Sequence, residues 1–184
     1  HRPMALTDYL FVSLGQPMFI AKKKENIIYI GKGSEVHISK PETHIAQVIQ
    51  NNDNTNIIHF QSQKIDFAVN FVGSGKPNHL SIQTSFTNSN NKKVNWSPKT
   101  PQFDAQNNRY YLNYNGEYHH SPINSKKNIV LQNERGKTTF IVRKMGMYNY
   151  EVECMPLVDP LIAFIIALSD VIGPHNDPFS DVEI

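Results

Sequence analysis

The sequence predicts a mainly β domain with one buried helix, in which an antiparallel β-barrel closes around a central hydrophobic C-terminal α-helix. Two observations support this fold class. About a dozen short strand-like runs follow one another along the chain, separated by Gly, Asn, Pro and Lys, as in barrels and sandwiches. One apolar helix then ends the pattern. A barrel of that many strands is too wide for its own side chains to fill, and such a helix would fill it.

The strand-like runs either alternate apolar with polar residues or are rich in β-branched and aromatic types, which suits a half-buried pleated surface. They lie at residues 8–14, 18–21, 27–30, 35–38, 44–49, 55–60, 67–72, 79–86, 110–114, 128–131, 138–144 and 148–154. The polar stretch 88–106 contains Pro98 and Pro101, and we interpret it as an extended loop.

The predicted helix spans residues 160–172 and has no polar residue on any face between Leu161 and Leu168. Asp159 suits the N-cap, Pro160 suits the first helical position, and Gly173 with Pro174 supplies a stop. About 13 residues give a length of about 20 Å, short of the roughly 30 Å hydrocarbon core of a bilayer. We therefore expect a helix buried in protein, not a membrane span.

Composition limits the function classes. The 184 residues include 18 basic and 16 acidic residues, a balance that argues against a surface built throughout for nucleic acid. The single cysteine, Cys154, excludes an intrachain disulfide, favours a reducing compartment and is interpreted as a packed strand residue. No signal peptide is recognised. We expect one domain over residues 4–174, a vector-derived remnant at 1–3 and a polar tail at 175–184.

Lys22-Lys23-Lys24 is the strongest candidate for binding chemistry. On a strand, Lys22 and Lys24 point to the same face, roughly 7 Å apart, and could hold neighbouring phosphate groups through charge-assisted hydrogen bonds. The alternative is a solvated charge run beside a strand. Lys126-Lys127 is a second basic pair, and the pair Arg143-Lys144 is expected to be solvated at the end of its strand.

Neither catalysis nor metal binding is predicted. No Ser-His-Asp or paired-carboxylate pattern stands out, so we expect no enzyme activity and no cofactor. His119 and His120 are adjacent, and on a strand they would face opposite sides and could not readily chelate one ion.

Four segments in register resemble the carboxy-terminal domain of the tubby family. Residues 99–104 and 110–116 resemble the family's Lys-Thr-Pro-x-Trp-Asn and Tyr-x-Leu-Asn-Phe-x-Gly-Arg segments, although Glu117 replaces the final arginine. Residues 125–132 are similar to its Ser-Val-Lys-Asn-Phe-Gln signature, and residues 156–169 to its Pro-Leu and Ala-Phe-x-Ile-Ala-Leu-Ser segments. The resemblance implies a divergent, short member with a twelve-stranded barrel around a central helix, and binding of phosphatidylinositol 4,5-bisphosphate.

The resemblance also implies roles for the lysines. Lys22 and Lys24 match two basic residues of the family that contact the ring phosphates, and Lys23 lies between them. Lys127 lies in the signature, where a packing or loop-ordering role competes with lipid contact. The segment 44–51 lacks the further basic residue of the family, which points to an altered affinity or head-group preference.

The first functional hypothesis is therefore a monomeric phosphoinositide-binding module that associates reversibly with the cytoplasmic face of the plasma membrane. The resemblance adds adaptor roles toward membrane-protein cargo, with the cilium or nucleus as further locations. One alternative is a nucleic-acid-binding or transcription-regulating protein, which the near-neutral charge disfavours. The other is a scramblase-like barrel with an interaction role.

Overall fold

A computed structural model describes residues 4–50, 57–61, 66–73, 80–87, 92–112, 114, 122–123, 125, 127–156 and 158–172. One α-helix, α1 (Pro160–Ile172), lies in these residues. The strands of the described residues are β1 (Met4–Thr7), β2 (Leu10–Ser13), β3 (Gln16–Lys24), β4 (Ile27–Lys32), β5 (Ala46–Gln50), β6 (Ile57–Gln61), β7 (Asp66–Gly73), β8 (Leu80–Thr87), β9 (Lys93–Pro98), β10 (Gln102–Asp104), β11 (Arg109–Tyr111), β12 (Ile129–Gln132), β13 (Thr138–Lys144) and β14 (Asn149–Cys154).

The strands of the main sheet are antiparallel and pair in the order β1-β14-β13-β12-β9-β8-β7-β6-β5-β4-β3-β2. β1 also pairs with β2, with Met4 opposite Ser13 and Thr7 opposite Leu10, so the order of pairings is closed. β10 and β11 form a separate two-stranded hairpin. The prediction of a mainly antiparallel β structure with one helix is confirmed.

Alternation along the strands decides which side chains enter the core. In β4, Ile28 and Ile30 are buried, whereas Tyr29 between them is only partly buried. In the neighbouring strand, Ala21 is buried and Lys22 is exposed. Successive side chains point to opposite faces of a strand, so Lys22 and Tyr29, which pair in register, share the outer face.

The predicted helix is confirmed with its bounds and its cap. The Leu161 amide N–H donates to Asp159 Oδ1 over 2.8 Å, and every residue from Ile162 to Ile172 is buried. The Phe164 ring centroid lies 5.1 Å from that of Phe11 and 5.8 Å from that of Phe19. α1 contacts the neighbouring strands β1 and β14 and also β8, which is four pairings away from β14, so one helix supports two separated parts of the sheet.

Within the described residues, no helix combines the length and the apolar character required to span a bilayer. Cys154 is a buried residue of β14, as predicted, and burial raises the pKa of its thiol from 9.0 to about 12.

Two predicted elements are wrong. Residues 35–38 do not form a strand: Gly33 turns the chain at a φ of +71°, and the apolar alternation of Val36 and Ile38 arises in a loop that buries Val36. The stretch 88–106 is not one loop, since β9 and β10 lie within it. β9 inserts Trp96 into the core, and its last residue, Pro98, pairs with Leu131.

Arg143 and Lys144 are buried, not solvated as expected. Arg143 Nη2 donates to Glu153 Oε2 over 3.0 Å, and its guanidinium carbon lies 5.3 Å from the centroid of the Tyr114 ring. This pairing of a buried cation with a carboxylate and an aromatic face is the usual condition for burying a charge.

Candidate functional site

A polar, open cleft of about 730 Å³ lies on the outer face of β3 and β4, and we call it the β3–β4 cleft. Lys22 and Lys24 line it from β3, and Ile27 and Tyr29 line it from β4. Glu25, in the turn between the two strands, and residues 37–39 complete the lining. Its volume is in the range of small-molecule sites, which run from about 300 to 1,000 Å³.

The three lysines of the basic run are placed differently. Lys22, Lys23 and Lys24 are all exposed, but only Lys22 and Lys24 are among the residues that line the cleft. In register, Lys22 pairs with Tyr29 and Lys24 with Ile27, so both lysines neighbour outward-facing side chains of β4. Lys23 pairs with the buried Ile28. The predicted shared face of Lys22 and Lys24 is thus observed.

The segment from 33 to 45 forms the second wall, and its own hydrogen bonds brace it. The amide N–H of His37 donates to Thr43 Oγ1 over 3.0 Å, and the Thr43 hydroxyl donates to the carbonyl oxygen of Lys40 over 2.7 Å. Glu35 Oε1 lies 3.0 Å from His37 Nε2, so the carboxylate accepts from the imidazole and orients it. The wall is therefore an ordered loop that presents His37 to the cleft.

Gly31 allows this wall to approach β4. A Cβ added at Gly31 would collide with the carbonyl oxygen of Glu35 and would lie 2.7 Å from the Cβ of Val36. Any side chain at this position would therefore push the segment outward. The glycine in β4 therefore sets how closely the second wall of the cleft approaches the strand.

The chemistry of the lining suits a phosphorylated ligand. Two ammonium groups provide point charges for phosphate, and the side chains of Tyr29, His37 and Ser39 add hydrogen-bonding groups around them. The carboxylate of Glu25 opposes an anion. The cleft thus has a small excess of positive charge rather than a strongly basic surface.

Lys127 does not lie at the surface with Lys22, Lys23 and Lys24. It is fully buried, and its amide N–H donates to Ser125 Oγ over 3.0 Å. Asn128, beside it, accepts from the Lys144 amide over 2.6 Å and donates to the carbonyl oxygen of Ile123 over 2.7 Å. The proposed lipid contact of Lys127 is incompatible with this burial, whereas the packing or loop-ordering alternative fits these contacts.

Apart from Lys22 and Lys24, sequence reasoning missed the residues that line the cleft, among them the polar residues Tyr29, His37 and Ser39. Tyr29 could have been found, because its position between the inward-facing Ile28 and Ile30 predicts an outward side chain. His37 and Ser39 could not, because the stretch that contains them was predicted to be partly a strand and its fold over β4 depends on tertiary contacts.

No group of three or more His, Cys, Asp or Glu side chains within the described ranges is placed to hold a metal ion. His119 and His120 lie outside those ranges. No protein-family model matches the chain. No curated protein matches it significantly.

Proposed function

We propose that this chain is a divergent tubby-like domain that binds phosphatidylinositol 4,5-bisphosphate or a related phosphoinositide through the β3–β4 cleft. The observation that carries the proposal is that Lys22 and Lys24, and not Lys23, line one cleft beside Tyr29, His37 and Ser39. Two ammonium groups on one face can hold neighbouring phosphates of an inositol ring.

The fold proposal is the twelve-stranded barrel around α1. The closed order of pairings and the contacts of α1 with β1, β14 and β8 support it. A strand arrangement closed in this way would leave no unpaired edge, and the apolar helix would fill the interior. The site would then lie on the outer wall, where it is open to a membrane surface.

The biological proposal is reversible association with the cytoplasmic face of the plasma membrane, as an adaptor in trafficking or signalling. A cleft with two exposed lysines would hold a charged head group without inserting it, so hydrolysis of the lipid phosphates would release the protein. We propose that the module acts as a monomer that carries a membrane-protein cargo, with the cilium or nucleus as further locations.

Calorimetry with inositol 1,4,5-trisphosphate and co-sedimentation with vesicles test this function. The Lys22→Ala/Lys24→Ala variant should lose head-group binding and vesicle binding, whereas Lys23→Ala, its matched control on the same strand, should retain head-group binding. Vesicles with phosphatidylserine at equal charge separate head-group recognition from general attraction. Equal binding by the double variant and the unchanged protein would refute the site, and binding only to duplex DNA would favour the nucleic-acid alternative.

A further inference from the structure

The turn between β13 and β14 is unusually apolar. It reads Met145-Gly146-Met147-Tyr148, whereas Gly, Asn, Asp and Ser are the common turn residues. Met147 is 68% exposed and Tyr148 is 52% exposed. Backbone hydrogen bonds from the Met145 and Gly146 amides to the carbonyl oxygen of Asn149 close the turn, at 2.8 and 3.2 Å. An ordered turn therefore holds two large apolar side chains out in solvent.

This turn lies at the same edge of the sheet as the basic run. Neighbouring strands are antiparallel, so the turns alternate between two edges. Thr7 pairs with Asn149, and the Asp8 amide donates to the carbonyl oxygen of Tyr148 over 2.9 Å, which places the β1–β2 turn beside it. Lys24 ends β3 at this edge. Three strand spacings separate β14 from β3, about 14 Å at roughly 4.8 Å each.

The combination fits a lipid surface. Anionic lipids attract lysines near the bilayer surface, and Tyr side chains favour the head-group level because one end of the ring is polar. Asp8 and Glu25 are also exposed at these turns and oppose the three lysines in part. Attraction alone would then be weak, and apolar contact would contribute a large share of the binding.

We propose that the edge formed by the β1–β2, β3–β4 and β13–β14 turns docks on an anionic bilayer, with Met147 and Tyr148 entering the boundary between head groups and acyl chains. This inference rests on the proposed function, since Lys22 and Lys24 hold the phosphorylated head group beside the inserted turn. Two weak contacts about 14 Å apart, one polar and one apolar, then act together on one membrane.

Replacement of the two apolar side chains of the turn should weaken membrane binding without changing head-group binding. The Met147→Ser/Tyr148→Ser variant should partition into phosphatidylcholine vesicles containing phosphatidylinositol 4,5-bisphosphate about tenfold more weakly or worse. Its affinity for soluble inositol 1,4,5-trisphosphate should stay unchanged. Leu14→Ser is the matched control, because Leu14 is 73% exposed in the turn after Ser13, at the opposite edge, and its loss should leave both measurements unchanged.

A tryptophan introduced by Tyr148→Trp reports insertion directly. Lipids brominated near the head group should quench its fluorescence, and the unchanged protein, with Trp96 buried in the core, supplies the baseline. No added quenching, or unchanged partitioning of the double serine variant, would overturn the docking proposal. A loss of self-association in that variant, measured by analytical ultracentrifugation, would assign the turn to contact between copies instead. Failure of soluble head-group binding in the unchanged protein would refute the proposed function alone.

Discussion

The ring centroid of His44 lies 4.8 Å from that of Tyr29, with the rings tilted by 43°. His44 Nε2 also lies 2.6 Å from the carbonyl oxygen of His37. A carbonyl oxygen only accepts, so this nitrogen of His44 carries the proton and donates. His44 therefore connects Tyr29, which lines the β3–β4 cleft, to His37 in the segment that forms the second wall of the cleft. Substitutions beside this segment can test its position.

Gly31→Ala should displace the wall. The added Cβ would collide with the Glu35 carbonyl oxygen, and overpacking of this kind destabilises a protein by about 1–3 kcal/mol. Urea unfolding measures the loss, and titration with inositol trisphosphate should show weaker binding. Gly146→Ala is the control, because the nearest atom to its added Cβ is 3.4 Å away, and its effect should be about 0.5 kcal/mol or less. Equal stability of the two variants would contradict the close approach at Gly31.

Glu25→Gln should strengthen head-group binding. The carboxylate of Glu25 lines the cleft with Lys22 and Lys24 and repels an anion, so its neutralisation should tighten binding of inositol trisphosphate by roughly two- to tenfold. The gain should shrink as salt is raised, since these charges are exposed. Glu134→Gln, at an exposed turn between β12 and β13, controls for total charge. The same gain in both variants would mean that the cleft is not the binding site.

Phe164→Ala should remove about 3–5 kcal/mol from the free energy of unfolding, because the side chain is fully buried against Phe11 and Phe19. Phe164→Asp should leave little folded protein, since it would bury an unpaired charge. Phe103→Ala is the matched control at a residue that is 53% exposed, and it should change stability by about 0.5 kcal/mol or less. Chemical denaturation of the alanine variants compares them; similar midpoints would contradict the burial of Phe164 in the core.

Because of Cys154, the free energy of unfolding should decrease at alkaline pH. Its pKa is about 12 in the folded protein and 9.0 without burial, so the unfolded chain loses the thiol proton first. The contribution of the thiol to the free energy of unfolding is complete below pH 9.0 and is lost as the pH rises from there to about 12. Unfolding of the unchanged protein and of Cys154→Ala, compared at pH 7 and pH 10, isolates this contribution. An equal decrease in both would contradict the raised pKa.

The helix and the shared face of Lys22 and Lys24 were predictable because each depends on local pattern. An apolar run flanked by Asp159 and Pro160 marks a buried helix wherever it packs, and the period of two determines how two strand residues align. The second wall was not predictable. Val36 and Ile38 alternate like strand residues, whereas the loop over β4 depends on contacts that the pattern does not contain, such as the close approach at Gly31 and the packing of His44 on Tyr29.

The burial of basic residues was also not predictable from the sequence. The sequence predicts a solvated Arg143 and leaves Lys127 between a packing role and lipid contact, because burial of a cation depends on partners that are distant along the chain. Glu153 and Tyr114 provide those contacts for Arg143. Such partners come from elements that pair or pack only in the folded protein, and no local sequence pattern indicates them.

The closed order of pairings also has a consequence for synthesis. β1 pairs with β14, and the buried helix α1 follows β14. A nascent chain that has released β1–β13 from the ribosome therefore still lacks α1 and β14, which is one of the two partners of β1. Contacts between such distant segments form slowly, and the inner faces of the strands stay open to other chains until then. Efficient production of this protein should thus depend on chaperones that shield the strands until β14 and α1 have emerged.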